Sequence, residues 1–155
     1  AAADEWVELK NTTSSLINIS GWVIENFGDS VTPNYTIGSG TIPAGGFFLI
    51  SNYDAASSKI NDAPDIVTTG IELINGGEQL ILKSDTNEVI DMANVLGVWF
   101  FGVDASPGPA QSMERKTSPG DGTVSTNWQT ATTYTNMDGS GPTDEFGTPK
   151  AVNGI

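Results

Sequence analysis

With no histidine and no cysteine in 155 residues, the side chains of this sequence that could do chemistry are its 19 carboxylates. Serine triads, thiol nucleophiles and most zinc sites each need a residue that is missing. What remains is acid–base work by paired carboxylates, or the binding of a hard cation. A glycosidase sets two carboxylates about 5–9.5 Å apart across one cleft. Glu5 and Glu8 stand three apart in "EWVELK", and in an extended chain that spacing sends them to opposite faces. Asp144 and Glu145 are neighbours and diverge for the same reason. Glu72, Glu78, Asp85, Glu88 and Asp91 flank turns, where solubility accounts for them. No catalytic residue, and no enzyme, is expected.

Two acidic loops keep calcium open as a cofactor, with Asp121, Asp138 and Asp144 as its candidate ligands. "SPGDGTVSTN" and "NMDGSGPTDEFG" join oxygen donors to pliant glycines, a combination that suits a hard cation. Neither has EF-hand spacing, and loops of this composition are mostly turns. No other cofactor is implied. Asn-x-Ser/Thr triplets at Asn11, Asn18 and Asn34 are glycosylation acceptors if the chain is exported. Asn18 is the poorest of the three, since it lies beside apolar strand residues; Asn11 and Asn34 are the candidates.

The chain that carries these groups is long enough for one domain over residues 1–155, with a real core. Its formal charge of −13 repels nucleic-acid phosphates and anionic lipid, so neither is an expected partner. No run approaches the ~18–20 apolar residues of a membrane span, and no membrane insertion is expected. "AAA" ahead of a charged residue has the look of a cleaved export signal. The expected location is extracellular, at the cell surface.

Short runs rich in Val, Ile, Phe, Trp and Thr alternate with Gly, Pro, Asn, Asp and Ser clusters, the pattern of an all-β sandwich or barrel. Strands are expected at Glu5–Lys10, Leu16–Ile19, Gly21–Glu25, Tyr35–Ile37, Gly46–Ser51, Gln79–Lys83, Val89–Ala93, Val98–Val103 and Asn127–Ala131. "TIPAGG" turns the chain into Phe47–Ile50, Asn75-Gly76-Gly77 supplies a second turn, and Ser84–Glu88 reads as a hairpin loop. Tyr53–Ile60 offers at most one helical turn. From Ser106 on, Pro, Gly, Asp and Thr dominate, and residues 106–155 read as an irregular segment that wraps the sandwich. Alternation places Val7, Leu9, Trp22, Ile24, Phe47, Leu49, Leu80 and Leu82 in the core, and Trp6, Glu8 and Lys10 on the other face of the first strand.

Taken together these motifs resemble the lamin tail domain family. "DEWVELKNTTSSLINISGWVIEN" is similar to the family's opening strand, polar turn and "[LI]-[ST]-G-W" element. "TIPAGGFFLIS" and "LINGGEQLILKSDTNEVID" resemble its Pro-Ala-Gly-Gly turn and its following strand and hairpin. "SMERK", "NWQTA" and "GTPKAVN" resemble the closing elements of bacterial members. The resemblance implies an immunoglobulin-like β-sandwich with no catalytic activity, used for interaction or scaffolding, in prokaryotes typically outside the cell. Family members usually start with one strand more, where this sequence has only the stub of residues 1–4. Either the stub stands in for that strand, or the edge beside Glu5–Lys10 is exposed, or another chain supplies the strand; since bare edges template aggregation, some form of cover is expected. The family also keeps an acid at Glu8, for which Arg115 is a conceivable partner.

"NVLGVWFFGVD" is more continuously apolar than the family pattern. It reads as a strand buried on both faces, or as a self-association surface made by Val95, Leu96, Val98, Trp99, Phe100 and Phe101. The resulting expectation is a non-enzymatic exported structural or adhesive sandwich. It would self-assemble by strand sharing or edge contacts, or bind other surface proteins. The alternative is a glycan- or cell-wall-binding module using Trp6, Trp99 or Trp128 as stacking platforms.

Overall fold

A computed structural model describes residues 5–27, 34–95, 97–104, 108–139 and 144–154. Its described residues form an immunoglobulin-like β-sandwich without α-helix. One layer has the order β1 (Trp6–Lys10), β6 (Phe47–Ser51), β7 (Ile66–Val67), with β1–β6 antiparallel and β6–β7 parallel. The other is antiparallel, in the order β4 (Tyr35–Thr36), β3 (Val23–Phe27), β8 (Gln79–Lys83), β9 (Val89–Ala93). Short pairs join β2 (Ile17–Asn18) to β5 (Thr41–Ile42), and β10 (Met113–Arg115) to β11 (Trp128–Thr130).

The main core lies between the layers and includes Ile19, Ile24, Ile37, Ile42, Phe48, Ile50, Ile71 and Leu80, with Val7, Leu9, Trp22 and Leu82 packed against it. A second cluster of Leu49, Ile60 and Met137 covers the outer face of β6, with Trp6 against it. This corrects the expected facing of β6. Phe48 and Ile50 enter the main core, Leu49 packs on the outside, and Phe47 is only half-buried, beneath the Lys10 ammonium at 5.2 Å. A central strand covered on both faces is apolar throughout, so alternation carries no sign of which face is which.

The expected turns form. Gly46 N–H bonds Pro43 O at 2.9 Å, Gly77 N–H bonds Ile74 O at 2.9 Å, and Ser84 N–H bonds Glu88 O at 2.8 Å across the hairpin. Gly77 has φ +102, and a Cβ there would stand 2.3 Å from Val98 Cα. Side chains are excluded on both counts. The segment Tyr53–Ile60 contains one turn, closed by Ser58 N–H to Asp54 O at 3.0 Å.

Two expectations fail. Residues 98–103 are not a strand; isolated bridges, Val95↔Val98 and Val103↔Gln111, stand in place of a ladder. Nor is it buried on both faces, since Val98 is 56 % exposed and Phe101 and Val103 are exposed too. The closing segment is also less irregular than expected, because Met113–Arg115 and Trp128–Thr130 pair as a two-stranded sheet.

Candidate interaction groove

Backbone parity decides what β1 offers its surroundings. Asn11 N–H bonds Gly46 O, and Asn52 N–H bonds Glu5 O, so odd-numbered residues of the strand turn their N–H and C=O groups to β6. In an antiparallel ladder the even residues then turn theirs the other way. Trp6, Glu8 and Lys10 therefore present backbone donors and acceptors to a side of β1 on which no described residue pairs with them. Against that edge lies an open groove of about 1060 Å³. Its far wall comes from Ile90–Ala93 of β9, the 98–104 run and Ala110–Thr117. Val7, Leu9, Ile19, Leu80 and Leu82 reach it from the main core. Of the exposed large apolar side chains, Ile90, Val98, Phe101, Val103 and Val152 all line this groove.

The wall at residues 95–100 is pinned by a residue that sequence reasoning passed over. Asn94 is fully buried. Its Nδ2 donates to Glu78 O at 2.7 Å and to Val98 O, and its Oδ1 accepts the Phe100 N–H at 3.0 Å. Trp99 Nε1 adds a bond to Ile74 O at 2.8 Å. Val98, Trp99, Phe100 and Phe101 are thus brought together as a fixed apolar rim in which Val98 and Phe101 are exposed and Trp99 and Phe100 half-buried. Val95 is half-buried beside them, and Leu96 lies outside the described residues.

Beyond β1, on the Trp6 side, two carboxyls that did not figure as a pair in the sequence come together. Glu114 is 3 % exposed; its Oε1 lies 2.7 Å from Thr148 Oγ1, and its Oε2 has no hydrogen-bond partner. Glu8 Oε2 accepts the Lys150 N–H at 2.6 Å. The Glu8 carboxyl is raised to about 7, chiefly by burial, with Asp65 and Glu114 adding to the rise and the Lys150 N–H and charge opposing it. Lys150 Nζ itself turns to Asp65 Oδ2 at 3.1 Å and Ala63 O at 2.8 Å. Arg115 is not the partner of Glu8. Its guanidinium stacks on Trp128 at 4.4 Å, bonds Asp91 at 2.8 Å, and takes carbonyls of Met92, Pro119 and Gly120. The reason is strand parity: Glu114 and Arg115 are adjacent in β10 and point apart. Glu114 itself is kept from solvent by its burial and its contact with Thr148.

Glu5 faces the opposite side of β1, as alternation requires, and accepts the Leu73 N–H at 3.1 Å. Its carboxyl is raised by burial, lowered by that bond, and raised again by Glu72. Glu78 does not fit the solvated-turn account. It is fully buried, with Oε1 accepting the Ile74 N–H at 2.9 Å.

Asp121 closes its own turn, accepting the N–H and hydroxyl of Thr123, both at 2.8 Å, and these hold it below the ordinary value. Asp138 bonds Lys59 O through its backbone N–H at 2.6 Å, and Asp144 packs on Gly139. Among the described residues no three acidic side chains converge as a metal site. Asn11 cannot be a glycan acceptor in this fold: it is 2 % exposed and its Nδ2 donates to Ser15 O and Ile42 O. Asn34 is exposed. Trp128 is no stacking platform, being 8 % exposed with Nε1 bonded to Gly122 O. Trp6 and Trp99 are half-buried.

Among the described residues no helix is long and apolar enough to cross a membrane. Residues 1–96 match the family model described as Lamin Tail Domain. The match stops short of "SMERK", "NWQTA" and "GTPKAVN". No curated protein matches the chain.

Proposed function

The chain belongs to the lamin tail domain family, a non-catalytic immunoglobulin-like β-domain, and from that premise we propose that it is a structural subunit that accepts a β-strand in the groove beside β1. The observation that carries this reading is the edge itself. Trp6, Glu8 and Lys10 offer backbone hydrogen bonds next to an apolar groove, and an extended segment of about five residues, ~17 Å long, satisfies both. Alternate side chains of the incoming strand would then meet Val7 and Leu9 on one face and Trp6 and Glu8 on the other.

The occupant proposed is a segment of a second copy. Every copy displays the slot, with the exposed apolar residues Val98, Phe101 and Val103 on its far wall to pack against an incoming strand. With the inserted segment drawn from outside the groove, the contact joins two different surfaces of identical chains and repeats without closing, which yields a filament or surface layer. The setting proposed is the cell surface, where such assemblies serve structure and adhesion. Glycan binding has no comparable observation in its favour, because Trp128 lies under Arg115 and the other two candidate platforms are half-buried.

Lys10→Pro tests the reading. Lys10 is exposed and its N–H faces the groove, so proline there removes a donor that no described residue uses; edge strands tolerate that change. Sedimentation and electron microscopy are expected to show polymers of the unaltered chain and folded monomers of K10P. Equal assembly by both, or monomers of the unaltered chain at every concentration, refutes strand acceptance.

A further inference from the structure

Across the groove from β1, a second strand edge is open. Lys116 N–H bonds Asn127 O and Ala131 N–H bonds Ser112 O, both at 2.9 Å, so even-numbered residues of β10 turn their backbone groups to β11. Met113 and Arg115 turn theirs the other way, into the groove they line. At one end this edge is taken by Val103, which exchanges N–H and C=O with Gln111, both at 3.0 Å. Gly102, with φ +91, carries the chain off that edge, its N–H bonding Thr130 Oγ1 at 3.0 Å. At the other end Asn153 Nδ2 donates to Arg115 O at 2.6 Å. Between them no described residue bonds the Met113 N–H, the Met113 C=O or the Arg115 N–H.

The two edges are in step. A strap at residues 147–150 crosses both strands. A Cβ on Gly147 would stand 3.2 Å from Trp6 Cζ2 and 3.4 Å from Ser112 Oγ. Thr148 Oγ1 then lies 2.7 Å from Glu114 Oε1, and the Lys150 N–H bonds Glu8 Oε2 at 2.6 Å. Trp6 is thus level with Ser112 and Glu8 with Glu114, so β1 and β10 run in the same direction with their even-numbered side chains under the strap. Their odd-numbered side chains share the opposite face. Val7 and Leu9 pack on the main core, and Arg115 reaches Asp91 and the Met92 carbonyl of β9. Into the groove, β1 therefore offers the backbone of its strap-side residues and β10 that of its core-side residues. Alternate residues of one extended strand turn their backbone groups to opposite sides, so a single strand meets both demands in one register. Resting on the strand-acceptor reading above, we propose that the slot is two-sided: the segment of a second copy enters as a central strand, bonded to β1 on one flank and to Met113 and Arg115 of β10 on the other. Because both borders run the same way, it makes the same kind of ladder with each. β7, β6, β1, the incoming strand, β10 and β11 then form one continuous sheet. Lys10 and Lys116, both exposed and both lining the groove, suit a strand drawn from a chain of net charge −13.

The test is amide hydrogen exchange of the full chain along β10, compared between monomer and assembly. In the monomer Glu114 and Lys116 are expected to be protected by β11, while Met113 and Arg115 exchange quickly. In the assembly Met113 and Arg115 are expected to slow by about tenfold or more, together with Glu8 and Lys10 of β1. Slowing of Glu8 and Lys10 with Met113 and Arg115 unchanged would overturn the second flank while leaving strand acceptance at β1 standing. Slowing of Met113 and Arg115 alone, slowing of neither pair, or a chain that never associates would overturn the two-sided slot and the acceptor at β1 together.

Discussion

At the scale of single residues, the first strand divides its two glutamates between different tasks. Glu5 ties β1 to Leu73 on the core side, whereas Glu8 anchors the strap at Lys150 on the outer side. The Glu8 shift has a definite thermodynamic sign. A carboxyl raised from 4.5 to about 7 on folding keeps its proton longer in the native state than in the unfolded one. Its contribution is fully present below about pH 4.5 and is lost as pH rises through about 7. The melting temperature of the monomeric chain is therefore expected to decline between those limits, and the E8Q curve to be flatter there. Identical pH dependence in thermal melts of the two would remove the claim. The opposed facing of Glu5 and Glu8 was legible in the sequence because it follows from a period of two. The partners of Glu8 were not, since Glu114 and Lys150 approach from more than a hundred residues away and no local pattern encodes that approach. Glu78 misled for a related reason: an acid beside two glycines reads as solvated until the segment that covers it is known.

Among the elements, those read most accurately are the ones whose pairing is local or whose apolar pattern is one-sided. Gln79–Lys83 and Val89–Ala93 have the limits expected of them, and their hairpin turns at Ser84–Glu88. The 98–103 run shows the opposite case. Its apolar content suggested a strand, but Asn94 holds it in a looped path over Gly77, with bonds to Glu78, Val98 and Phe100. A buried asparagine that satisfies three backbone groups is a local device that no periodicity announces. Asn94→Ala strands those groups, at about 1–3 kcal/mol for each that stays dry. A loss of about 3 kcal/mol in urea unfolding is expected, together with new proteolytic cleavage within residues 95–103. A loss below about 1 kcal/mol with no new cleavage would show that other contacts fix the rim. β10 went unexpected because three residues among prolines and glycines give too short a pattern to read.

On the scale of the whole molecule, the fold class followed from composition and turn chemistry, and the groove did not. A cavity bounded by β1, β9, the 98–104 run and β10 depends on how segments distant in sequence settle against one another. What the sequence did carry was the question of what lies beside the first strand. The answer offered is a slot with a defined polarity, in which even-numbered residues of β1 wait for a partner backbone. Amide hydrogen exchange resolved along Trp6–Lys10 tests this most directly. In monomers, Val7 and Leu9 are expected to be protected by β6, while Glu8 and Lys10 exchange quickly. In the assembled protein Glu8 and Lys10 are expected to become protected as well. Assemblies in which Glu8 and Lys10 still exchange as they do in the monomer would contradict strand acceptance at β1.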